Sequence, residues 1–292
     1  MCKTCQEPWA GPLRRPASLW QAILMKVKIA TWNINSVRLR IASVERFLKE
    51  NSPDILCLQE TKCPQGQFPS APLKELGYGH IAEFGQKGYH GVAIVSRLPI
   101  HKSHSKSFCG KDDCRHIAVE IETPRPLHLH NFYVPAGGDE PDPKINDKFA
   151  HKLGFLKEML AWSKSEAKDG SVHKAVVGDL NIAPFENDVW SHKDLLKVVS
   201  HTPIETAGLL DIIAAGGWTD VMRKSAPEPE KLYTWWSYRA RDWRESNRGR
   251  RLDHVWANDS LAKGYQGMSI LKDCRDWQQP SDHVPVIAEF KL

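Results

Sequence analysis

Val176-Val177-Gly178-Asp179-Leu180-Asn181 is the stretch on which the reading of the whole chain turns. Ala175 to Val177 reads as a buried strand that stops abruptly in a glycine, a carboxylate and an amide. Gly178 lets the backbone pass where a side chain would obstruct it. Asp179 and Asn181 are then presented two residues apart at the strand end. An Asx-turn that closes a strand would need no more than this. The stretch gains meaning because other strands of the chain end in the same way.

Upstream, Lys26 to Trp32 favours a strand and runs into Asn33-Ile34-Asn35. Ser36 is placed to cap a helix whose apolar positions Val37, Ile41, Val44 and Leu48 recur at helical spacing. Ile55 to Leu58 is a short apolar run, hence a buried strand, ending in Gln59-Glu60-Thr61-Lys62. Tyr78 to Phe84 and Gly91 to Ser96 read as further strands. His116 to Glu122 and His128 to Val134 read as a hairpin, with Pro124 and Pro126 in its turn and Tyr133 at its end. A long helix follows, with Phe149, Leu153, Leu156 and Leu160 on one face. Ala183 to Leu232 shows no regular period and reads as loops and short helices. Beyond it come Tyr233-Thr234-Trp235-Trp236-Ser237-Tyr238 and then the most basic segment, six arginines from Arg239 to Arg251 against Asp242 and Glu245. Leu252 to Trp256 and Val286 to Phe290 are the last strands. Strands and a few long helices in mixed order predict an α+β fold, two packed sheets with helices outside.

The 292 residues suffice for one large domain with a sizeable core. Hydrophobic residues at 41% and charged residues at 26% exclude a disordered chain. The net charge of +5, from 40 basic and 35 acidic residues, permits a polyanionic partner without establishing one. Seven cysteines without a secretory leader fit a reducing, cytoplasmic setting better than a disulfide framework. Cys2-x-x-Cys5 lacks the second pair that a zinc site needs. No apolar run approaches the ~20 residues that span a bilayer. Residues 1–24, interrupted by Pro8, Pro12 and Pro16, read as a disordered extension ahead of Met25; a mitochondrial-type targeting segment is the second reading. The folded domain is expected over 25–292.

Asn33, Asn35, Glu60, Tyr133, Asp179, Asn181, Asp253, Asp282 and His283 all sit at or beside strand ends, which commonly share one face of a sandwich. Converging carboxylates repel unless a cation or a phosphate stands between them. Hard oxygen donors suit Mg²⁺ or Mn²⁺ better than zinc. Asp253 and His283 read as a pair in which a carboxylate fixes an imidazole's tautomer and stabilises its protonated form.

Trp32-Asn33-Ile34-Asn35, Leu58-Gln59-Glu60-Thr61-Lys62, Tyr133-Val134-Pro135, Gly178-Asp179-Leu180-Asn181-Ile182-Ala183-Pro184, Arg251-Leu252-Asp253 and Ser281-Asp282-His283-Val284-Pro285 stand in the order seen in exonuclease III. From about Met25 to Leu292 the chain resembles an exonuclease III-type apurinic/apyrimidinic endonuclease. The resemblance implies a DNase I-like, four-layer αββα sandwich. It implies Mg²⁺-dependent cleavage 5′ to abasic sites in duplex DNA, with Mn²⁺ able to substitute, together with removal of blocked 3′ ends and 3′-to-5′ exonuclease activity. The implied partner is duplex DNA, with no membrane; the implied state is a cytoplasmic monomer, nucleoid-associated if bacterial.

By residue, it implies a metal site among Asn33, Glu60, Asp179, Asn181, Asp282 and His283. Catalytic roles fall to Tyr133, Asp179, Asn181, Asp253 and His283. DNA contacts fall to Asn35, Lys62, Trp235, Arg239, Arg241, Arg244, Arg248 and Arg250. Trp235 matches the aromatic that walls the abasic-sugar pocket, while Trp236 reads as core. Arg250 departs from the pattern, which more often has a tryptophan or an aliphatic residue there. Gly137-Gly138-Asp139 departs from members that place a large wedge residue in that loop. A phosphodiesterase acting on lipid, inositol phosphate or RNA is the same-fold alternative, and a catalytically dead DNA-binding protein the other.

Overall fold

The computed structural model describes residues 25–167 and 170–292. The readings of residues 1–24 and of Cys2-x-x-Cys5 lie outside the described residues. In chain order the strands are β1 (Lys26–Asn33), β2 (Ile55–Gln59), β3 (His80–Phe84), β4 (Val92–Ser96), β5 (Ile100–Ser105), β6 (His116–Ile121), β7 (Leu127–Tyr133), β8 (His173–Asp179), β9 (Thr219–Asp220), β10 (Trp235–Trp236), β11 (Gly249–Arg250), β12 (Asp253–Ala257), β13 (Tyr265–Ile270) and β14 (Val286–Lys291).

Two six-stranded sheets result, ordered β13-β14-β1-β2-β4-β3 and β5-β6-β7-β8-β12-β9; β10 and β11 form a separate ribbon. Alternation along each strand sorts the side chains. On β1, Val27 and Ile29 face the other sheet, whereas Ala30 and Trp32 face the helix Ile41–Asn51. On β8, Ala175 and Val177 point inward, whereas Val176 packs with Phe155, Met159, Leu209 and Ile212 from helices Asp147–Glu166 and Pro203–Gly216. Helix, sheet, sheet and helix therefore stack in four layers around three apolar cores, as the sequence predicts.

The parallel pairs, β1 with β2 and β7 with β8, occupy the middle of each sheet. Parallel pairing brings C-terminal ends together: Asn33 lies opposite Gln59, and Tyr133 opposite Asp179. Antiparallel β12 then sets its first residue, Asp253, against Asp179. A Cβ at Gly178 would stand 2.0 Å from the Phe132 carbonyl oxygen, and its φ is +137°, so this position requires glycine.

Several local expectations shift. Ser36 does not cap the first helix, which begins at Ile41 after Arg40. Instead its backbone N–H donates to the Glu60 carbonyl at 2.7 Å, tying the two strand-end loops together. The third strand begins at His80 rather than Tyr78. The buried stripe of helix Asp147–Glu166 includes Phe149, Lys152, Phe155, Leu156, Met159 and Trp162, whereas Leu153 and Leu160 are only partly buried. Within Ala183 to Leu232 lies a regular fourteen-residue helix, Pro203–Gly216. No helix among the described residues is long and apolar enough to cross a membrane.

Candidate active site

The central strand ends of both sheets meet, and they bring Asn33, Glu60, Tyr133, Asp179, Asn181, Asp253, Asp282 and His283 into one hydrogen-bonded constellation. Asn33 joins the sheets: its Nδ2 donates to Glu60 Oε1 at 2.9 Å and to Asp179 Oδ2 at 2.8 Å. Asn181 donates from Nδ2 to the same Asp179 oxygen at 3.2 Å and to the Val134 carbonyl at 2.9 Å. Lys62 Nζ donates to Glu60 Oε2 at 2.9 Å and to Asn35 Oδ1 at 2.6 Å. Asn35 passes the connection on, donating to Asp282 Oδ1 at 3.2 Å, while the Trp235 indole N–H donates to Asp282 Oδ2 at 2.9 Å. Asn35, Glu60, Lys62 and Asn181 all hold φ near +50°, in the left-handed region. Side chains rarely adopt that backbone, and its clustering here marks geometry imposed by the fold.

His283 lies between two carboxylates, with Nδ1 at 2.8 Å from Asp253 Oδ2 and Nε2 at 3.6 Å from Asp179 Oδ2. Burial opposes its protonation, but the charges of Asp253 and Asp179 outweigh that and hold its pKa well above the usual histidine range. Burial pushes the Asp179 carboxyl the other way from most aspartates, well above its usual value, against the pull of His283. The Tyr133 hydroxyl donates to Glu60, and burial keeps it protonated well above pH 10. The Arg115 guanidinium lies 4.9 Å from the Tyr133 ring.

Asp179, Asp253 and His283 offer ligand atoms within 4.8 Å of one another and by that geometry could hold a metal ion. Both nitrogens of His283 are, however, turned to carboxylates. The oxygen donors of Glu60, Asp282, Asn33 and Asn35 fit a hard divalent cation better. Glu60, with its side chain 20% exposed, is open to solvent from which such an ion would come.

The arginine-rich segment is less uniform than its sequence. Arg239 and Arg248 line a cavity of about 420 Å³ with Trp236 and Ser237. Arg241 is exposed. Arg244 has its guanidinium on Asp276 and, at 2.7 Å, on Asp273, so its charge is balanced within the protein. Arg250 donates to the Val199 carbonyl and Ser200 Oγ. Trp236 is buried, as expected, and its indole N–H donates to Asn247.

Sequence reasoning overlooked the supports. Lys152 is fully buried and donates from Nζ to Glu205 Oε1 at 2.5 Å, the Asn181 carbonyl at 2.8 Å and the Ala136 carbonyl at 3.2 Å. Glu205 was legible as the third helical residue of a capping box with Thr202. Asn131, on the inward face of β7, accepts from Gln59 Nε2 at 2.7 Å and donates to the Leu58 and Ala93 carbonyls, stitching the sheets beneath Glu60. Its signal was an amide at a position where alternation calls for an apolar residue. Arg40 braces Asn35 through that residue's carbonyl.

The model of the endonuclease/exonuclease/phosphatase family matches residues 30–283, and the chain belongs to this family. Exodeoxyribonuclease III of Haemophilus influenzae is 30% identical over 274 residues, spanning 91% of this chain and all of that protein. The exodeoxyribonuclease of Bacillus subtilis is 29% identical, spanning 89% and 98%. Among solved structures, an AP endonuclease from Archaeoglobus fulgidus superposes with a TM-score of 0.83 at 33% identity, covering 91% of this chain and all of that one. A 3′-5′ exonuclease, NExo, from Neisseria meningitidis gives 0.82 at 30% identity with the same coverage. Within the family the chain is of the exonuclease III type: a nuclease, and so a phosphodiester hydrolase.

Proposed function

We propose that this nuclease is a Mg²⁺-dependent DNA-repair enzyme that hydrolyses the phosphodiester 5′ to abasic sites in duplex DNA. By the same chemistry it clears blocked 3′ ends and removes nucleotides 3′ to 5′. The observation that carries the reading is Asp179, a buried carboxylate held by two amides and facing a histidine that is itself backed by Asp253.

Each side chain has a role that its surroundings support. Asp179, with its raised pKa, accepts the proton of a water attacking phosphorus near neutral pH. Protonated His283, its Nδ1–H spent on Asp253, turns Nε2–H to a phosphate oxygen where negative charge accumulates. Asn181 turns one of its two amide hydrogens from Asp179 to that phosphate. Tyr133 keeps its proton and can donate it toward the leaving 3′ oxygen. Lys62 and Asn35 orient Glu60 and Asp282. Glu60 and Asp282, with the amide oxygens of Asn33 and Asn35 beside them, would hold the ion, whereas protonated His283 has no free nitrogen to offer it. A bound Mg²⁺ would supply neutralisation of phosphate charge. Trp235 walls the sugar pocket, and Arg239, Arg241 and Arg248 meet phosphates of the duplex, a contact weakened by salt.

Incubation with a duplex carrying one abasic analogue tests the reading. A single nick 5′ to the lesion is expected with Mg²⁺ or Mn²⁺ and none with EDTA. Equal cleavage in EDTA would refute the metal dependence. An inert duplex beside a hydrolysed phospholipid or inositol phosphate would refute the substrate.

A further inference from the structure

The outer face of the second sheet carries a histidine cluster that the chemistry above does not use. His104 on β5, Ala118 on β6 and His130 on β7 stand in register in one row, and His116 lies two residues before Ala118 on the same face. The small side chain of Ala118 leaves room between the two rings beside it. The ring centres of His116 and His130 are 5.4 Å apart, and that of His104 is 6.2 Å from each. His116 Nε2 lies 3.1 Å from His130 Nδ1.

These spacings are close to those around one tetrahedral ion. Imidazoles bound to zinc at about 2.0–2.1 Å hold their ligating nitrogens roughly 3.3 Å apart and their ring centres roughly 5 Å apart. His116 and His130 come close to both values. His104 stands about 1 Å too far on that scale, but it is exposed on an edge strand, where a side-chain rotation closes the gap. Behind His130, Glu166 Oε2 is 4.0 Å from Nε2 and is held by Lys174 Nζ at 2.9 Å. A carboxylate on that side keeps the ring's proton at Nε2 and leaves Nδ1 with its lone pair, the arrangement usual behind metal-bound histidines. His116 Nδ1 is buried with no partner among the described residues, so that ring's proton can move there when Nε2 takes an ion. Burial lowers the pKa of both rings, that of His116 to about 3, which keeps them neutral and able to ligate at neutral pH. A cavity of about 250 Å³ beside His104, His128, His130, Glu120 and Glu166 gives an ion and a water a way in.

We propose that His104, His116 and His130 form a second metal site, separate from the strand-end constellation, that takes Zn²⁺ or a similar divalent transition ion with water in the fourth position. Nitrogen donors select such an ion over the Mg²⁺ suited to the oxygen donors around Glu60. The three ligands come from three neighbouring strands, so the ion pins the exposed edge strand β5 to the sheet. The inference does not depend on the substrate proposed above.

Titration of the full chain with Co²⁺, followed by visible absorbance, tests it, since four-coordinate Co²⁺ absorbs strongly and Co²⁺ in an octahedral oxygen site weakly. One equivalent with strong bands is expected, displaced by Zn²⁺ and free of thiolate charge-transfer absorption. His104→Asn removes an exposed ligand without entering the core and should weaken binding by about 100-fold or more; Glu166→Gln should weaken it by about 10- to 100-fold. Zn²⁺ at a hundred times its wild-type dissociation constant should raise the melting temperature of wild type by about 5 °C or more beyond that of His104→Asn. Absence of strong bands at millimolar Co²⁺ overturns the inference, and this result needs no variant to fold. Bands that carry thiolate absorption overturn it too, because they place the ion on cysteines. So does equal affinity in a His104→Asn protein whose metal-free melt matches wild type.

Discussion

Replacing Lys152 by methionine separates what holds the fold from what aims the site. The lysine side chain is fully buried and joins three things: Glu205, the carbonyl of Asn181 and the carbonyl of Ala136. Methionine fills similar space and removes every donor. Breaking a buried ion pair from one side costs about 3–5 kcal/mol, because the other charge is left behind. Here Glu205 still accepts from the Ser200 and Thr202 backbones and from the Thr202 hydroxyl, which favours the lower end, about 3 kcal/mol. At about 2–4 °C per kcal/mol, that lowers the melting temperature by roughly 6–12 °C. Turnover should fall by about 10²-fold at temperatures where the variant is folded, since Asn181 loses the bond that fixes its left-handed backbone. Adding Glu205→Gln removes the stranded charge and should recover part of the stability, but not turnover. Thermal melts and single-turnover incision of an abasic duplex measure the two effects. Wild-type turnover in Lys152→Met, or turnover that returns with stability in the double variant, would refute the positioning role.

Asp179→Asn should abolish incision while leaving duplex binding measurable by fluorescence anisotropy, because the amide cannot accept the proton but keeps the shape; wild-type rates would remove its role. Gly178→Ala should destabilise by about 3 kcal/mol or more, since the new Cβ meets the Phe132 carbonyl in a left-handed backbone, and an unchanged melt would contradict that packing. His116 gives a pH dependence: burial, then the charges of His104 and Lys106, lower its pKa to about 3. The unfolded chain binds that proton from about pH 6.5 downward, so the contribution is complete above 6.5 and is lost toward 3, about 2 kcal/mol being gone at pH 5. Urea melts should show His116→Gln losing less stability than wild type between pH 7.5 and 5, and equal losses would contradict this.

Much of the architecture was legible because two-residue alternation and apolar runs report burial directly. Val27 and Ile29, Ile55 to Leu58, and Ala175 to Val177 all became interior strand positions. What escaped were elements whose stability comes from context. β5, Ile-His-Lys-Ser-His-Ser, is an edge strand with almost every side chain exposed, so no alternation was there to read. Helix Pro203–Gly216 is apolar on much of its circumference and contains Gly208, which blurred its period; its capping box was the better signal.

The site was legible to the extent that its residues terminate strands. Asp179 and Asp253 meet because β8 and β12 are paired in register, and Asn33 reaches Asp179 because the sheets face each other. The supports were hidden because a buried Lys152 or Asn131 looks like a surface residue until a partner distant in sequence is known. Likewise, the arginine run showed charge but not allegiance: Arg244 faces Asp273 and Asp276, whereas Arg250 faces neutral acceptors.

The central claim is that water attacks phosphorus under the direction of Asp179 and His283 and expels the upstream 3′ oxygen. Cleavage of an abasic duplex in H₂¹⁸O, followed by mass spectrometry of both fragments, tests it most directly. The expected result is one ¹⁸O in the 5′ phosphate of the downstream fragment and an unlabelled 3′ hydroxyl on the upstream one. A phosphate without label, or an upstream fragment ending in phosphate, would contradict it.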